Sequence, residues 1–65
     1  MTPATIKAIR HRAGLTQSGL ARLLRISDIR TLRRWEQGEV PISGPASVVL
    51  ELLDAGVIIP TDEQG

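Results

Sequence analysis

The residues best equipped for chemistry in this chain are arginines, and three of them sit together: Arg30, Arg33 and Arg34, just ahead of the single tryptophan, Trp35. A guanidinium presents a planar fork of donors that pairs in bidentate fashion with the O6 and N7 atoms of guanine, or with phosphate oxygens. The inventory for covalent or acid–base catalysis is thin by comparison. The chain has one histidine, no cysteine and no tyrosine, and no glycine-rich phosphate loop. Such a set predicts a binding protein and not an enzyme. Lack of cysteine excludes disulfides and cysteine–zinc sites, and His11 alone builds no metal site. No metal, cofactor or small-molecule ligand is therefore expected.

The arginines need a scaffold that turns them outward, and the spacing of apolar residues supplies one. At about 100° per residue, Leu32 and Trp35 share one helix face with Ile29 flanking it, while Arg30, Arg34 and Gln37 point away and Arg33 lies at the edge. The bland reading is a solvated face whose arginines serve helix propensity. A helix that needed only solubility would interleave both signs, and no acid stands between these three. Net charge is only +1, but its distribution is uneven. Residues 1–34 hold all eight Lys and Arg residues against Asp28 alone; residues 35–65 hold the other acids and no base. A basic half beside an acidic half suits a protein that meets a polyanion with one face, or else a dipolar surface whose halves attract each other.

The remaining segments read as support. Thr2 and Pro3 suit an N-cap and first helical position. Ile6, Ile9 and Ala13 recur at helical spacing, and Gly14 stands where a left-handed residue would end that helix. His11 reads as a solvated residue near the helix end. Thr16 caps a second helix with Leu20, Leu23 and Leu24 as its buried stripe. Gly19 is a poor choice within it, at a cost of roughly 1 kcal/mol of helix propensity relative to alanine. Ser27 offers the cap of the third helix, with Asp28 at its positive end, and Gly38 closes it. After Val40–Pro41, Ser43 leads into a fourth helix carrying Val48, Val49, Leu52 and Leu53 and closed by Gly56. Val57, Ile58 and Ile59 follow, then an acidic end from Thr61 to Gly65. No apolar run approaches the ~20 residues needed to span a bilayer, and Met1–Thr2–Pro3 does not read as a signal peptide, so a cytoplasmic protein is expected.

LTQSGLARLLRIS followed by RTLRRWEQG resembles the lambda repressor and Cro-type helix-turn-helix family, often called the XRE family. The resemblance extends through PISGPASVVLELL and covers roughly residues 4–55. It implies an all-α, lambda-repressor-like domain of four helices, or five if the tail adds one, over residues 1–56, with 57–65 as a short C-terminal tail. It also implies a role for individual positions. Thr16 and Gln17 match positions that bind phosphate, and Ile29, Arg30 and Arg34 match positions that face base edges. Arg10 and Glu36 match a buried salt bridge between the first and third helices, which is physically sensible because Glu36 lies beside Leu32 on the inward side and would be costly if buried unpaired.

Two departures from the family pattern stand out. Arg25 occupies a position where glycine usually supplies an unusual backbone angle, and ISDIRTL is one residue longer than the usual spacing. Ile29 or Asp28 is the extra residue. The turn is thus expected to depart from the standard geometry, with the third helix starting late or with an irregular turn. Positions counted back from Trp35 are unaffected, so the base-reading set is Arg30, Thr31, Arg33 and Arg34. The phosphate anchors are Thr16, Gln17, Arg22, Arg25 and Ser27, and Leu32, Trp35, Arg10 and Glu36 are scaffold. The partner implied is double-stranded DNA, at a palindromic operator bound by a homodimer, with a prokaryotic or phage repressor as the leading role. An antitoxin or adaptor that binds a protein partner and uses DNA for autoregulation is the alternative. Val57, Ile58 and Ile59 are the candidate dimer interface, unless they fold back onto the first helix and complete the core.

Overall fold

Among the described residues, every helix begins at a side chain that accepts a backbone N–H. The computed structural model describes residues 1–59 and contains α1 (Pro3–Arg12), α2 (Gln17–Leu23), α3 (Ile29–Gln37) and α4 (Gly44–Asp54). Among the described residues there is no strand and no fifth helix; Pro60 to Gly65, and with them the acidic end of the tail, lie outside those residues. Thr2 Oγ1 accepts from the Thr5 amide at 3.1 Å and Thr16 Oγ1 from the Gly19 amide at 3.0 Å. Ser43 Oγ does the same for Ala46 at 3.4 Å. Such caps satisfy donors that the first helical turn leaves without an intrahelical partner.

The cap of α3 corrects the sequence-based expectation. Asp28, not Ser27, holds it: Asp28 Oδ1 accepts from the Arg30 amide at 3.0 Å, and the Asp28 backbone is extended. The physical reason is the extra residue in the connection. α3 begins one position later than a Ser27 cap would have set it. A carboxylate takes the cap, which the positive end of the helix favours.

The helix ends share one closure. Each terminates with a paired backbone bond: Leu15 to Arg10 at 3.1 Å, Ile26 to Ala21 at 2.9 Å, Glu39 to Arg34 at 2.9 Å and Val57 to Leu52 at 3.0 Å, in each case from amide to carbonyl. This closure requires a left-handed residue just before the donor. Gly14, Gly38 and Gly56 fill three of these positions, and Arg25 fills the fourth with φ 61°. Arg25 is the one described non-glycine residue with positive φ, and the turn between α2 and α3 is built on it.

α1 is the central support. It packs against α3 on one side and α4 on the other, while α2 packs against α3. Ile6 and Ile9 from α1, Leu20 and Ala21 from α2, Leu32 and Trp35 from α3, and Ala46, Leu50 and Leu53 from α4 form one core. The structure selects the inward face of α4. Leu50 and Ala46 are buried, whereas Val48 and Leu52, read as apolar helix positions, are exposed. With Leu50 turned inward, residues four apart at 46, 50 and 53–54 share its face, and 48 and 52 fall on the other side. Gly19, a poor helix former, has a steric reason. A Cβ there would lie 3.3 Å from the capping Thr16 Oγ1 and 3.4 Å from Leu15 Cδ2.

The left-handed conformation costs an ordinary L-residue roughly 1–2 kcal/mol, part of which glycine would return as unfolded-state entropy. Arg25→Gly is therefore expected to stabilise the domain by about 0.5–1 kcal/mol and to raise Tm by about 3–6 °C in thermal unfolding. An unchanged or lowered Tm would show that the turn carries no such strain.

Candidate nucleic-acid interface

The outer side of α3 carries Arg30, Arg33 and Arg34, all exposed, while Leu32, Trp35 and Glu36 are buried on its inner side. Thr31 is half-buried between the two. Two of the three arginines are held, each differently, and the difference begins in the core.

Glu36 is the only charged residue fully buried among the described residues, and it is satisfied from two other helices. Arg10 Nε donates to Glu36 Oε2 at 2.8 Å and Arg10 Nη2 to Oε1 at 3.3 Å; Gln17 Nε2 donates to the same Oε1 at 3.1 Å. Side-chain exposure is 12% for Arg10 and 2% for Glu36. Arg10 Nη1 also donates to the Leu15 carbonyl at 3.1 Å, tying down the link between α1 and α2. An amide can donate with its nitrogen while accepting with its oxygen. Gln17 does both, and its Oε1 accepts from Arg33 Nε at 3.3 Å. A chain of hydrogen bonds thus runs from α1 through α3 and α2 and back to an arginine on the surface of α3. Gln17, a phosphate anchor by resemblance, is half-buried in this chain with both ends of its amide engaged.

Arg30 is held by the residue that caps its helix. Arg30 Nε donates to Asp28 Oδ1 at 3.2 Å and Nη2 to Oδ2 at 3.1 Å, side-on and bidentate. The guanidinium and the Arg30 amide together hold the Asp28 carboxyl below its usual range, and Asp28 raises the Arg30 value in turn. Both groups are well exposed. The Arg34 side chain has no hydrogen-bond or ion-pair partner among the described residues.

The other residues singled out from the sequence lie as follows. Thr16 is exposed with its hydroxyl on the Gly19 amide, and Ser27, Arg22 and Arg25 are exposed around the α2–α3 turn. Arg12 had counted toward the basic half. Its Nε and Nη2 donate to Asp54 Oδ1 at 3.0 and 2.9 Å, clamping the end of α1 to the end of α4. No sequence signal marked that pair, because its members are 42 positions apart. In the tail, Val57 and Ile59 are 67% and 78% exposed, whereas Ile58 packs against the core. Of the three tail residues, only Ile58 folds back onto the core. No cluster of three or more metal-ligating side chains occurs among the described residues, and no helix there is long and apolar enough to cross a membrane.

A family model described as a helix-turn-helix domain matches residues 4–56. No curated protein and no solved structure matches the chain.

Two measurements test this geometry. Removing one member of a buried ion pair strands the other, at a cost of about 3–5 kcal/mol, whereas replacing both by apolar groups is often neutral. Glu36→Ala is expected to lose a large share of the roughly 3–10 kcal/mol available to a domain of this size, and Arg10→Met with Glu36→Leu to retain most of it, in urea unfolding. Near-parental stability of Glu36→Ala would contradict the role of the pair. Because the Asp28 value is depressed in the folded state, its contribution is present above the unfolded-state pKa and is lost as pH falls through the folded value. Titration of the Asp28 carboxyl followed by NMR should give a midpoint below that of an ordinary aspartate. In Arg30→Ala the midpoint should rise part of the way, since the backbone N–H remains. Equal midpoints in the two proteins would mean that the guanidinium contributes nothing.

Proposed function

The chain belongs to the helix-turn-helix domain family, a family of DNA-binding domains, and from that premise we propose that it is a sequence-specific transcriptional regulator of the lambda repressor and Cro type. It inserts α3 into the major groove of double-stranded DNA and represses its own or a neighbouring operon. The observation that carries this reading is the exposed row Arg30, Arg33 and Arg34 on the face of α3 opposite Leu32 and Trp35. Arg30 and Arg34 read bases with a preference for guanine, assisted by Thr31 and Arg33. Thr16, Arg22, Arg25 and Ser27 contact phosphates, and Gln17 does so through its backbone N–H, which fixes register without carrying sequence information. Such a protein acts in the cytoplasm of a prokaryote or from a phage genome, as a binding protein and not as an enzyme.

One reading helix covers only a few base pairs, too few to single out a site in a genome, and a two-fold dimer doubles that number. Residues 1–56 form the reading domain and 57–65 the tail. The exposed Val57 and Ile59, with Val48 and Leu52 on the outer side of α4, supply the apolar surface for a second copy. The same exposed apolar residues favour a second reading, an antitoxin or adaptor whose protein partner takes the place of that copy.

Selection of bound sequences from random duplex DNA near physiological salt tests both. We expect an enriched two-fold motif whose half-sites lie about one helical turn, ~34 Å, or a multiple apart. A single unrepeated half-site would favour the adaptor reading, and no enriched motif would overturn the regulator. Arg34→Ala is expected to lose enrichment while keeping the far-UV circular dichroism of the parent. Its affinity for the selected site should fall by about five- to 100-fold; unchanged affinity would remove Arg34 from the base-reading set.

A further inference from the structure

Three arginines on one helix face are chemically alike, but the structure does not treat them alike. The Arg34 side chain has no hydrogen-bond or ion-pair partner among the described residues; Arg33 shares its Nε with Gln17; Arg30 is gripped along its whole Nε–Nη2 edge by the Asp28 carboxylate. That grip leaves three N–H donors unengaged, and two of them, one on Nη1 and the second on Nη2, form the end-on fork. The end-on fork is a match for the O6 and N7 acceptors of guanine. The side-on edge, the other bidentate surface of an arginine, is already occupied.

We infer that Asp28 is a positioning residue that presents Arg30 end-on to a guanine and withholds it from phosphate. The inference rests on the reading above, that α3 faces base edges. Geometry supports the first half: Asp28 is fixed by its own cap bond to the Arg30 amide at 3.0 Å, so the carboxylate is a stationary support and not a second mobile chain. Charge supports the second half. A lone guanidinium is drawn to any phosphate, whereas the Asp28–Arg30 pair is close to neutral and its carboxylate repels phosphate oxygens. The pair thus gives up sequence-independent attraction and keeps the directional bonds. The extra residue in ISDIRTL gains a purpose on this account, because it brings an acid to the position that both caps α3 and grips Arg30.

The test uses the full chain with Asp28→Asn, Asp28→Ser and Arg30→Ala, each put through selection from random duplex DNA. Asparagine and serine are also good N-caps, so the start of α3 is kept, and far-UV circular dichroism verifies it. The expected result has three parts. Arg30→Ala loses a guanine preference at one position of the parent motif. Asp28→Asn and Asp28→Ser keep the rest of the motif but weaken that preference by about five- to tenfold. Affinity of the two Asp28 variants for unrelated duplex DNA rises, with a salt slope steeper by up to about one. A merely structural role would lower both affinities together and would not split their signs. Replacing the guanine concerned by 7-deazaguanine, which lacks the N7 acceptor, should weaken the parent and leave Asp28→Asn little changed. The proposal is overturned if the preference survives in both Asp28 variants, or if Arg30→Ala keeps the whole motif; in either case sequence-specific binding by the parent still stands. If the parent enriches no motif at all, the regulator reading and this inference fall together.

Discussion

A carboxylate with 2% of its side chain exposed is the constraint on which this small domain depends. Glu36 stands on the inner face of α3 between Leu32 and Trp35 in the core and the arginine-bearing face outside. Desolvating a charge there is tolerable only if its oxygens are fully met. Arg10 and Gln17 meet them, and they come from α1 and α2. The requirement of one acid therefore fixes three helices relative to each other. Apolar contacts alone would allow α3 to roll by some degrees about its axis. The directional bonds to Glu36 do not, and any roll would move Arg30, Arg33 and Arg34 together.

The same economy governs the connections. Four helices of seven to eleven residues are too short to persist alone, so their ends must be closed by the chain itself. Caps at Thr2, Thr16, Asp28 and Ser43 take up amides at one end, and left-handed residues redirect the chain at the other. Arg25 is the exception that shows the rule. The closure between α2 and α3 is made even though an arginine must adopt φ 61°, because without it the two helices would lack their tight turn. An exposed cation beside the turn is what the chain obtains in return for the strain.

Much of this was legible in the sequence. Helical spacing of apolar residues, capping residues and terminal glycines gave the four elements, and the alternation within LRRWEQ separated the faces of α3. What stayed hidden has identifiable causes. α4 carries five aliphatic residues at 48–50 and 52–53, too many for periodicity to choose the buried face, which the structure gives to Leu50 and Leu53. The cap of α3 falls on Asp28 and not on Ser27, because either side chain caps well and only the register of the lengthened turn decides between them. The bonds from Gln17 to Glu36 and Arg33, and from Arg12 to Asp54, join residues 16 to 42 positions apart, and nothing local encodes them. Sequence gave the surface arginines as a group; only the tertiary structure distinguishes them.

That distinction has an energetic meaning for any ligand that α3 meets. Fixing a long side chain at an interface costs about 0.5–1.5 kcal/mol of rotamer entropy. Arg33 on Gln17 and Arg30 on Asp28 are already confined before a partner arrives, so part of that cost has been met by the fold. Arg34 carries no such confinement among the described residues. Confinement also narrows what an arginine can meet, because a donor committed to an internal acceptor is unavailable outside. A single short helix face has room for few contacts with any ligand and cannot raise discrimination by adding more. It can do so by limiting the geometry of those it has, and the two held arginines beside one unheld are the form that limitation takes here.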